Sequence, residues 1–309
     1  MYKILIADKI PESAVNLLRS DQKYEVHECF HMDKAELIKE IVSYHAIIVR
    51  SATKITEEVI DAAVNLKAVG RAGSGLDNIA VAYAESRGIS VFNTPGSNAR
   101  AVAELTIALI FALARHLYPA VCSMKAQLWE KMSFSGQEIG GKTIGLIGFG
   151  QIGQKVGQIA AGLQMQILVY KTRPVAKSPA YPYERVSLDV LLKKSDYVSL
   201  HVPKNEQTKN LITMTALQKM KNTAYLINTS RGAIVNEQDL MAALNTGMIA
   251  GAGLDVFEQE PPKDHALTAH EKVIATPHIG GSTAESQERV GNDIVKAVMK
   301  HLETNYLFI

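Results

Sequence analysis

Cysteine is nearly absent. Cys29 and Cys122 are the only two among 309 residues, and they lie far apart in the chain. No metal-type spacing links them, which argues against a disulfide framework or a zinc site and points to a reducing, cytoplasmic setting. Excess charge is missing too: 33 basic and 31 acidic residues leave 33 − 31 = +2, so nothing calls for nucleic acid or an anionic membrane as a partner. The longest apolar run, residues 101–114, is interrupted by Glu104 and is too short to span a bilayer. Met1-Tyr2-Lys3 leads straight into a strand, so no signal peptide is expected. What the chain does have is 47% hydrophobic and 21% charged residues over a length suited to about two domains.

The sequence is organised around GKTIGLIGFGQIG at 141–153. Residues 143–147 form an apolar, β-branched run that reads as a buried strand, and helical spacing resumes at 154. Between them stand Gly148, Gly150 and Gly153. The first permits a tight turn, the second lets backbone approach a pyrophosphate, and the third lets the helix pack on its strand. The free N–H groups at the helix start would face the phosphates. The alternative is an ordinary glycine-rich turn in an α/β domain.

Strand and helix alternate on both sides of this stretch. Strands are expected at 4–7, 24–27, 46–49, 68–70 and 90–92, and helices at 11–19, 34–42, 57–64 and 78–87. Two helices follow, 99–115 and 119–129, the second with Pro119 in its first turn. The second series has strands at 143–147, 166–170, 197–200, 224–228, 250–254 and 273–275. Its helices include 152–163, 188–194, 213–220 and 237–246, and a last helix runs from 282 to about 301. Repeated βα units imply parallel sheets covered on both faces, with ligand groups at the carboxyl ends of the strands. The run Arg71-Ala72-Gly73-Ser74-Gly75-Leu76-Asp77-Asn78 reads either as a backbone nest for an anion or as a helix start capped by Asp77.

Three late loops bring chemistry to one sheet edge: Thr229-Ser230-Arg231-Gly232 after 224–228, Asp255 and Glu260-Pro261-Pro262 after 250–254, and Thr276-Pro277-His278-Ile279-Gly280-Gly281 after 273–275. An arginine fork can grip a 2-keto acid's carboxylate and polarise its carbonyl. A histidine can exchange a proton with the carbonyl oxygen, and a neighbouring carboxylate favours the charged imidazole. Singly, each is more often a surface ion pair, a solvated acid or a structural histidine.

Together, VGRAGSGLDNI (69–79), NTPGSNARAVAEL (93–105), the glycine stretch, HVP (201–203), INTSRGAIVNE (227–237), GAGLDVFEQEPP (251–262) and TPHIGGST (276–283) resemble the D-isomer-specific 2-hydroxyacid dehydrogenases, within them the phosphoglycerate dehydrogenases. The resemblance covers nearly the whole chain. It implies an α/β fold of two doubly wound parallel-sheet domains, a Rossmann cofactor domain (99–282) inserted into a flavodoxin-like substrate domain (1–98 and 283–309). A cleft would lie between them, with closure excluding water. It implies catalytic roles for Arg231, Glu260 and His278, with no metal. Cofactor contacts would come from Ser74, Gly148, Gly150, Gln151, Ile152, Gly153, Lys171, Arg173, His201, Val202, Pro203, Thr208, Thr229, Ser230, Arg231, Asp255, His278, Gly280 and Gly281, with Asp255 towards the nicotinamide. Substrate-side positions would be Arg50, Arg71, Ser74, Gly75, Asn98, Arg231 and His278. A homodimer through the cofactor domain is implied as well.

Two departures from the family pattern stand out. Lys171 occupies the place of the acidic residue that usually binds the adenosine ribose, eighteen residues after Gly153. A cation cannot accept from a 2′-hydroxyl, so Lys171 and Arg173 could instead pair with a 2′-phosphate, giving NADP use beside NAD. Alternatively Lys171 runs out to solvent and NAD binds through its other groups. The chain also stops where longer relatives carry a serine-binding regulatory domain, so no serine feedback by that route is expected. The leading expectation is oxidation of D-3-phosphoglycerate to 3-phosphohydroxypyruvate, the first step of serine synthesis, with Arg50 and Arg71 towards the phosphate. The alternatives are a glyoxylate, hydroxypyruvate or other 2-keto acid reductase, and a non-catalytic dinucleotide-sensing regulator.

Overall fold

The computed structural model describes residues 1–172 and 179–304 and resolves two compact units, Met1–Asn98 with Ser282–Ile309 and Ala99–Gly281. In the first unit the strands are β1 (Tyr2–Ile6), β2 (Tyr24–Glu28), β3 (Ala46–Val49), β4 (Ala68–Arg71) and β5 (Ser90–Asn93). All pair in parallel in the order β2-β1-β3-β4-β5, the flavodoxin-like arrangement. Alternate residues of the central strands enter different cores: Ile4, Ile6 and Ile48 on one face, Leu5, Ile47 and Val49 on the other. Both faces of the sheet are therefore dry, and each such side chain contributes about 1.5–3 kcal/mol by leaving water.

Helices α1 (Glu12–Arg19), α2 (Lys34–Glu40), α3 (Glu57–Ala62) and α4 (Val81–Ser86) connect these strands. α4 begins at Val81 rather than at Asn78, with Ala80 before it and no side-chain cap. The reading of Asp77 as a helix cap is thereby corrected. Asn78 is used otherwise: its amide donates to the carbonyls of Arg50 (2.7 Å) and Thr53 (2.6 Å).

The second unit starts with α5 (Ala99–Ala114), apolar on most sides and largely buried, and α6 (Leu117–Lys125). α6 starts two residues before the expected 119 and ends before Trp129; Pro119 fits in its first turn, where no intrahelical N–H bond is lost. β6 (Thr143–Ile147), α7 (Gln151–Gly162), β7 (Gln166–Tyr170), β8 (Glu184–Arg185), α8 (Leu188–Lys194) and β9 (Tyr197–Leu200) follow. Then come α9 (Met214–Leu217), shorter than expected, β10 (Tyr225–Asn228), α10 (Glu237–Asn245), β11 (Gly251–Leu254) and β12 (Val273–Ala275). The two-residue β8 had no counterpart in the sequence reading. The strands run parallel in the order β12-β11-β10-β9-β6-β7-β8, the doubly wound Rossmann pattern with its switch point between β6 and β9.

α11 (Ala284–Thr304) belongs to the first unit. It lies so close on β4 that a Cβ at Gly70 would stand 3.0 Å from Ile294 Cγ1 and 2.8 Å from Val298 Cγ2. Among the described residues, no single helix is long and apolar enough to cross a membrane.

Candidate active site

β6 delivers the chain into the glycine turn at the switch point. Gly148 has φ +94°, and a Cβ there would run into the carbonyl of His201. A Cβ at Gly153 would meet the carbonyl oxygen of Gly148, whereas one at Gly150 would meet nothing within 4 Å. α7 starts directly at Gln151 with no side-chain cap on its first N–H groups. Close packing at two glycines, open space at the third and an uncapped helix start fit an anionic pyrophosphate lying against Gln151, Ile152 and Gly153.

His201 follows β9 and donates its backbone N–H to Ile147 (2.7 Å). Its Nε2 is 2.9 Å from Ser199 Oγ, and its Nδ1 is buried without a protein partner. Burial pulls this imidazole down to about 3, so it is neutral at working pH. Val202 and Pro203 follow, and Val202 Cγ1 would stand 2.7 Å from a Cβ at Gly148, so this segment walls the glycine turn. Thr208 closes their turn, its Oγ1 donating to the Pro203 carbonyl (2.6 Å) and accepting from Asn205 N–H (2.9 Å). Lys171 follows β7, with Nζ 3.5 Å from the Phe149 carbonyl oxygen. Arg173 lies outside the described residues.

The loops after β10, β11 and β12 meet at the same edge, because these strands are sheet neighbours. Buried Asn228 holds the first: its Oδ1 accepts from the N–H (3.1 Å) and Oγ (2.8 Å) of Ser230, and its Nδ2 donates to the Arg231 carbonyl (2.9 Å). Thr229 Oγ1 meets the buried Thr106 Oγ1 of α5 at 2.9 Å. Arg231 donates from Nη1 to the Ser230 carbonyl (2.7 Å). Gly232 lets this loop touch the next backbone-to-backbone, since a Cβ there would strike the Phe257 carbonyl.

Asp255, 1% exposed, ties the second loop to the third. It accepts from Thr276 Oγ1 (2.6 Å), Ile279 N–H (2.8 Å) and Gly280 N–H (2.8 Å). His278 lies between those anchors in the left-handed region, at φ 52°. Its Nδ1 is 2.6 Å from Glu260 Oε2, and Glu260 Oε1 accepts from Phe257 N–H (3.1 Å). Burial pushes the Glu260 carboxyl upward, but the His278 hydrogen bond and charge, the Phe257 N–H and the Arg231 charge outweigh it and hold it below its ordinary value. Arginine, carboxylate and imidazole thus act on one another, from three loops distant in sequence.

A family model described as D-isomer specific 2-hydroxyacid dehydrogenase, NAD binding domain, matches residues 107–280. The chain belongs to that family. The hydroxypyruvate reductase of Thermotoga maritima is 44% identical over 304 residues, 97% of this chain and 98% of that protein. The D-3-phosphoglycerate dehydrogenase of Synechocystis sp. is 40% identical over 306 residues, 96% of this chain but 54% of that relative, so the chain spans about half its length. Among solved structures, an acyclic imino acid reductase in complex with NADPH and D-arginine aligns with a TM-score of 0.88 at 32% identity, covering 98% of this chain and 97% of that one.

The other candidate residues gather at the carboxyl edge of the first unit's own sheet. Arg50 directly follows β3 and Arg71 ends β4, in neighbouring strands with Val49 opposite Arg71. The Arg50 N–H is held by Asp8 Oδ2 (2.6 Å), and Arg71 folds back, Nη1 to the Ala72 carbonyl (3.4 Å), over Gly73 at φ +147°. Ser74 Oγ donates to Asn98 Oδ1 (2.9 Å), and Asn93 Nδ2 donates to the Ser74 carbonyl (2.7 Å), with Gly75 next in the loop. Asn228 and Thr106 were given no role in the sequence, and Gly232 only a place in the loop after β10. Thr106 and Gly232 make contact between distant segments, whereas the Asn228 side chain bonds within 228–231, and its position beside the TSR run at a strand end hinted at it.

Proposed function

We propose that the protein interconverts D-3-phosphoglycerate and 3-phosphohydroxypyruvate with a nicotinamide dinucleotide. The observation that carries the oxidoreductase reading is the 2.6 Å bond between His278 and Glu260, on a loop pinned by Asp255 and within reach of the Arg231 charge. Glu260 occupies Nδ1 and fixes the ring, leaving Nε2 to take the hydroxyl proton during oxidation and return it to the carbonyl oxygen during reduction. Arg231 would grip the substrate carboxylate in two-point fashion and draw electron density from the adjacent carbonyl. The dinucleotide, when bound, exchanges a hydride with the substrate's C2. Gly148, Gly150, Gln151, Ile152 and Gly153 would hold its pyrophosphate. The 201–203 wall, Thr208, Thr229, Ser230, Gly280 and Gly281 would line its remainder. A pure regulator needs no such proton donor.

On this reading 99–282 is the dinucleotide-binding domain, and 1–98 with 283–309 forms the substrate-binding domain. Arg50 and Arg71, at the ends of adjacent strands, supply two cations for a phosphate at the substrate's far end, with Ser74, Gly75 and Asn98 beside them. A second reading, hydroxypyruvate reduction, is favoured by the full-length similarity to the Thermotoga maritima enzyme. α6 exposes Leu117, Tyr118, Val121 and Met124, and Leu128 and Trp129 follow; we assign this apolar face to a homodimer through the dinucleotide domain.

A panel of 3-phosphohydroxypyruvate, hydroxypyruvate and glyoxylate, each with NADH and NADPH, tests these readings. A kcat/KM at least tenfold higher for the phosphorylated acid is expected. Dominance of hydroxypyruvate moves the assignment to the second reading, and absence of turnover with every acid overturns both.

A further inference from the structure

We propose that the end of β7 carries a subsite for a ribose 2′-phosphate, built from Lys171 and Arg185, and that NADP(H) is the dinucleotide held more tightly. This rests on the dinucleotide reading of the second unit and deepens it. In a strand–glycine turn–helix–strand unit, the residue ending the second strand reaches the ribose hydroxyls. Here that strand is β7, ending at Tyr170, and the side chain that follows is an ammonium. An ammonium offers three donors and no acceptor, so the two hydroxyls of an unmodified ribose lose the carboxylate that would ordinarily accept from both.

The geometry supplies the complementary charge twice. Lys171 Nζ is 3.5 Å from the Phe149 carbonyl, which lies within the glycine turn itself, so the cation is held beside the turn. The short strand β8 then pairs with β7, Val169 opposite Arg185, and this brings a second cation to the same place. Arg185 Nη2 donates to the Lys171 carbonyl at 2.8 Å. That bond uses one of five guanidinium N–H groups, and the remainder can meet a phosphate in two-point fashion. Among the described residues neither cation is paired with a carboxylate. Two unneutralised cations flanking one peptide at the ribose end of the site discriminate for a phosphomonoester and against a bare hydroxyl pair.

The test is equilibrium binding to the intact protein by isothermal titration calorimetry, with adenosine 2′,5′-bisphosphate and adenosine 5′-monophosphate as the probes. The bisphosphate is expected to bind at least tenfold more tightly. Arg185→Gln and Lys171→Gln should each weaken the bisphosphate five- to tenfold while shifting the monophosphate less than twofold, and Lys171→Asp should reverse the order of the two. Equal affinities, a tighter monophosphate, or an Arg185→Gln variant that weakens both probes alike would overturn the proposal. If the probes bind without discrimination while keto-acid reduction proceeds with NADH, the subsite fails and the dehydrogenase reading stands. If neither probe nor NADH binds, the dinucleotide reading fails with it.

Discussion

Replacing Asp255 by asparagine isolates the contact that aims the histidine loop. The substitution keeps shape and volume but turns one accepting oxygen into an NH2. All three partners of Asp255 are donors: Thr276 Oγ1, Ile279 N–H and Gly280 N–H, at 2.6, 2.8 and 2.8 Å. At least one of them must then face another donor in a site that is 1% exposed. A buried donor left unmatched costs about 1–3 kcal/mol, so roughly 2 kcal/mol is expected in the free energy that holds 276–280 closed. Hydrogen exchange of the backbone amides, read by mass spectrometry on a peptide covering 273–283, reports that local opening directly. The expected result is about 30-fold faster exchange at residues 279 and 280, since about 1.4 kcal/mol corresponds to a factor of ten. kcat/KM for keto-acid reduction should fall with it, because His278 sits inside the loosened segment. Unchanged exchange in Asp255→Asn would refute the claim that this carboxyl sets the loop.

Glu260→Gln removes the charge beside His278 but keeps an acceptor. The pair is more than one-third exposed on both sides, so after solvent screening it is worth roughly 0.5–1 kcal/mol, and kcat/KM for keto-acid reduction should fall about two- to fivefold. Because the Glu260 carboxyl is held below its ordinary value, its stabilising contribution is present above the ordinary carboxylate range and is lost only as pH falls through the depressed value; the low-pH edge of thermal stability should therefore move in Glu260→Gln. Gly148→Ala forces a methyl against the His201 carbonyl at positive φ, at a cost of roughly 2–4 kcal/mol, seen as a Tm lowered by roughly 5–10 °C. Val121→Glu with Met124→Glu on α6 should convert a dimer into a species of the 33.7 kDa chain mass by light scattering, and an unaltered mass would place the interface elsewhere.

The doubly wound architecture and the three chemical loops were legible because parallel sheets write themselves in apolar runs and set their functional groups just past the strand ends. Thr143–Ile147 with its three glycines and the loops bearing Arg231, Glu260 and His278 are all of that kind. Boundaries were less legible where a side chain acts out of register with its own segment. Asn78 looks like a helix start, but its amide is drawn to the Arg50 and Thr53 carbonyls and α4 waits until Val81. β8 is two residues long, too short for any periodicity to reveal, and it exists through pairing with Leu168 and Val169. Thr106 and Gly232 act between segments distant in sequence, and no local pattern encodes such contacts.

The site divides its labour by burial. Asn228 and Asp255 are almost fully enclosed and spend their polar atoms on backbone and hydroxyl partners, whereas Glu260 and His278 keep side-chain exposures of 37% and 46%. A non-glycine residue at φ 52° costs about 1–2 kcal/mol and persists only where its surroundings over-determine it. At His278 the surroundings do so from both sides: Thr276 before it and Ile279 and Gly280 after it are all bonded to one buried carboxyl. The strain therefore sits on the residue proposed to move a proton, and the restraint sits on one that Coulomb attraction to substrate does not need to reach. Substitutions at the enclosed pair should act on loop opening first and on turnover through it, and substitutions at the exposed pair on turnover with little change in opening.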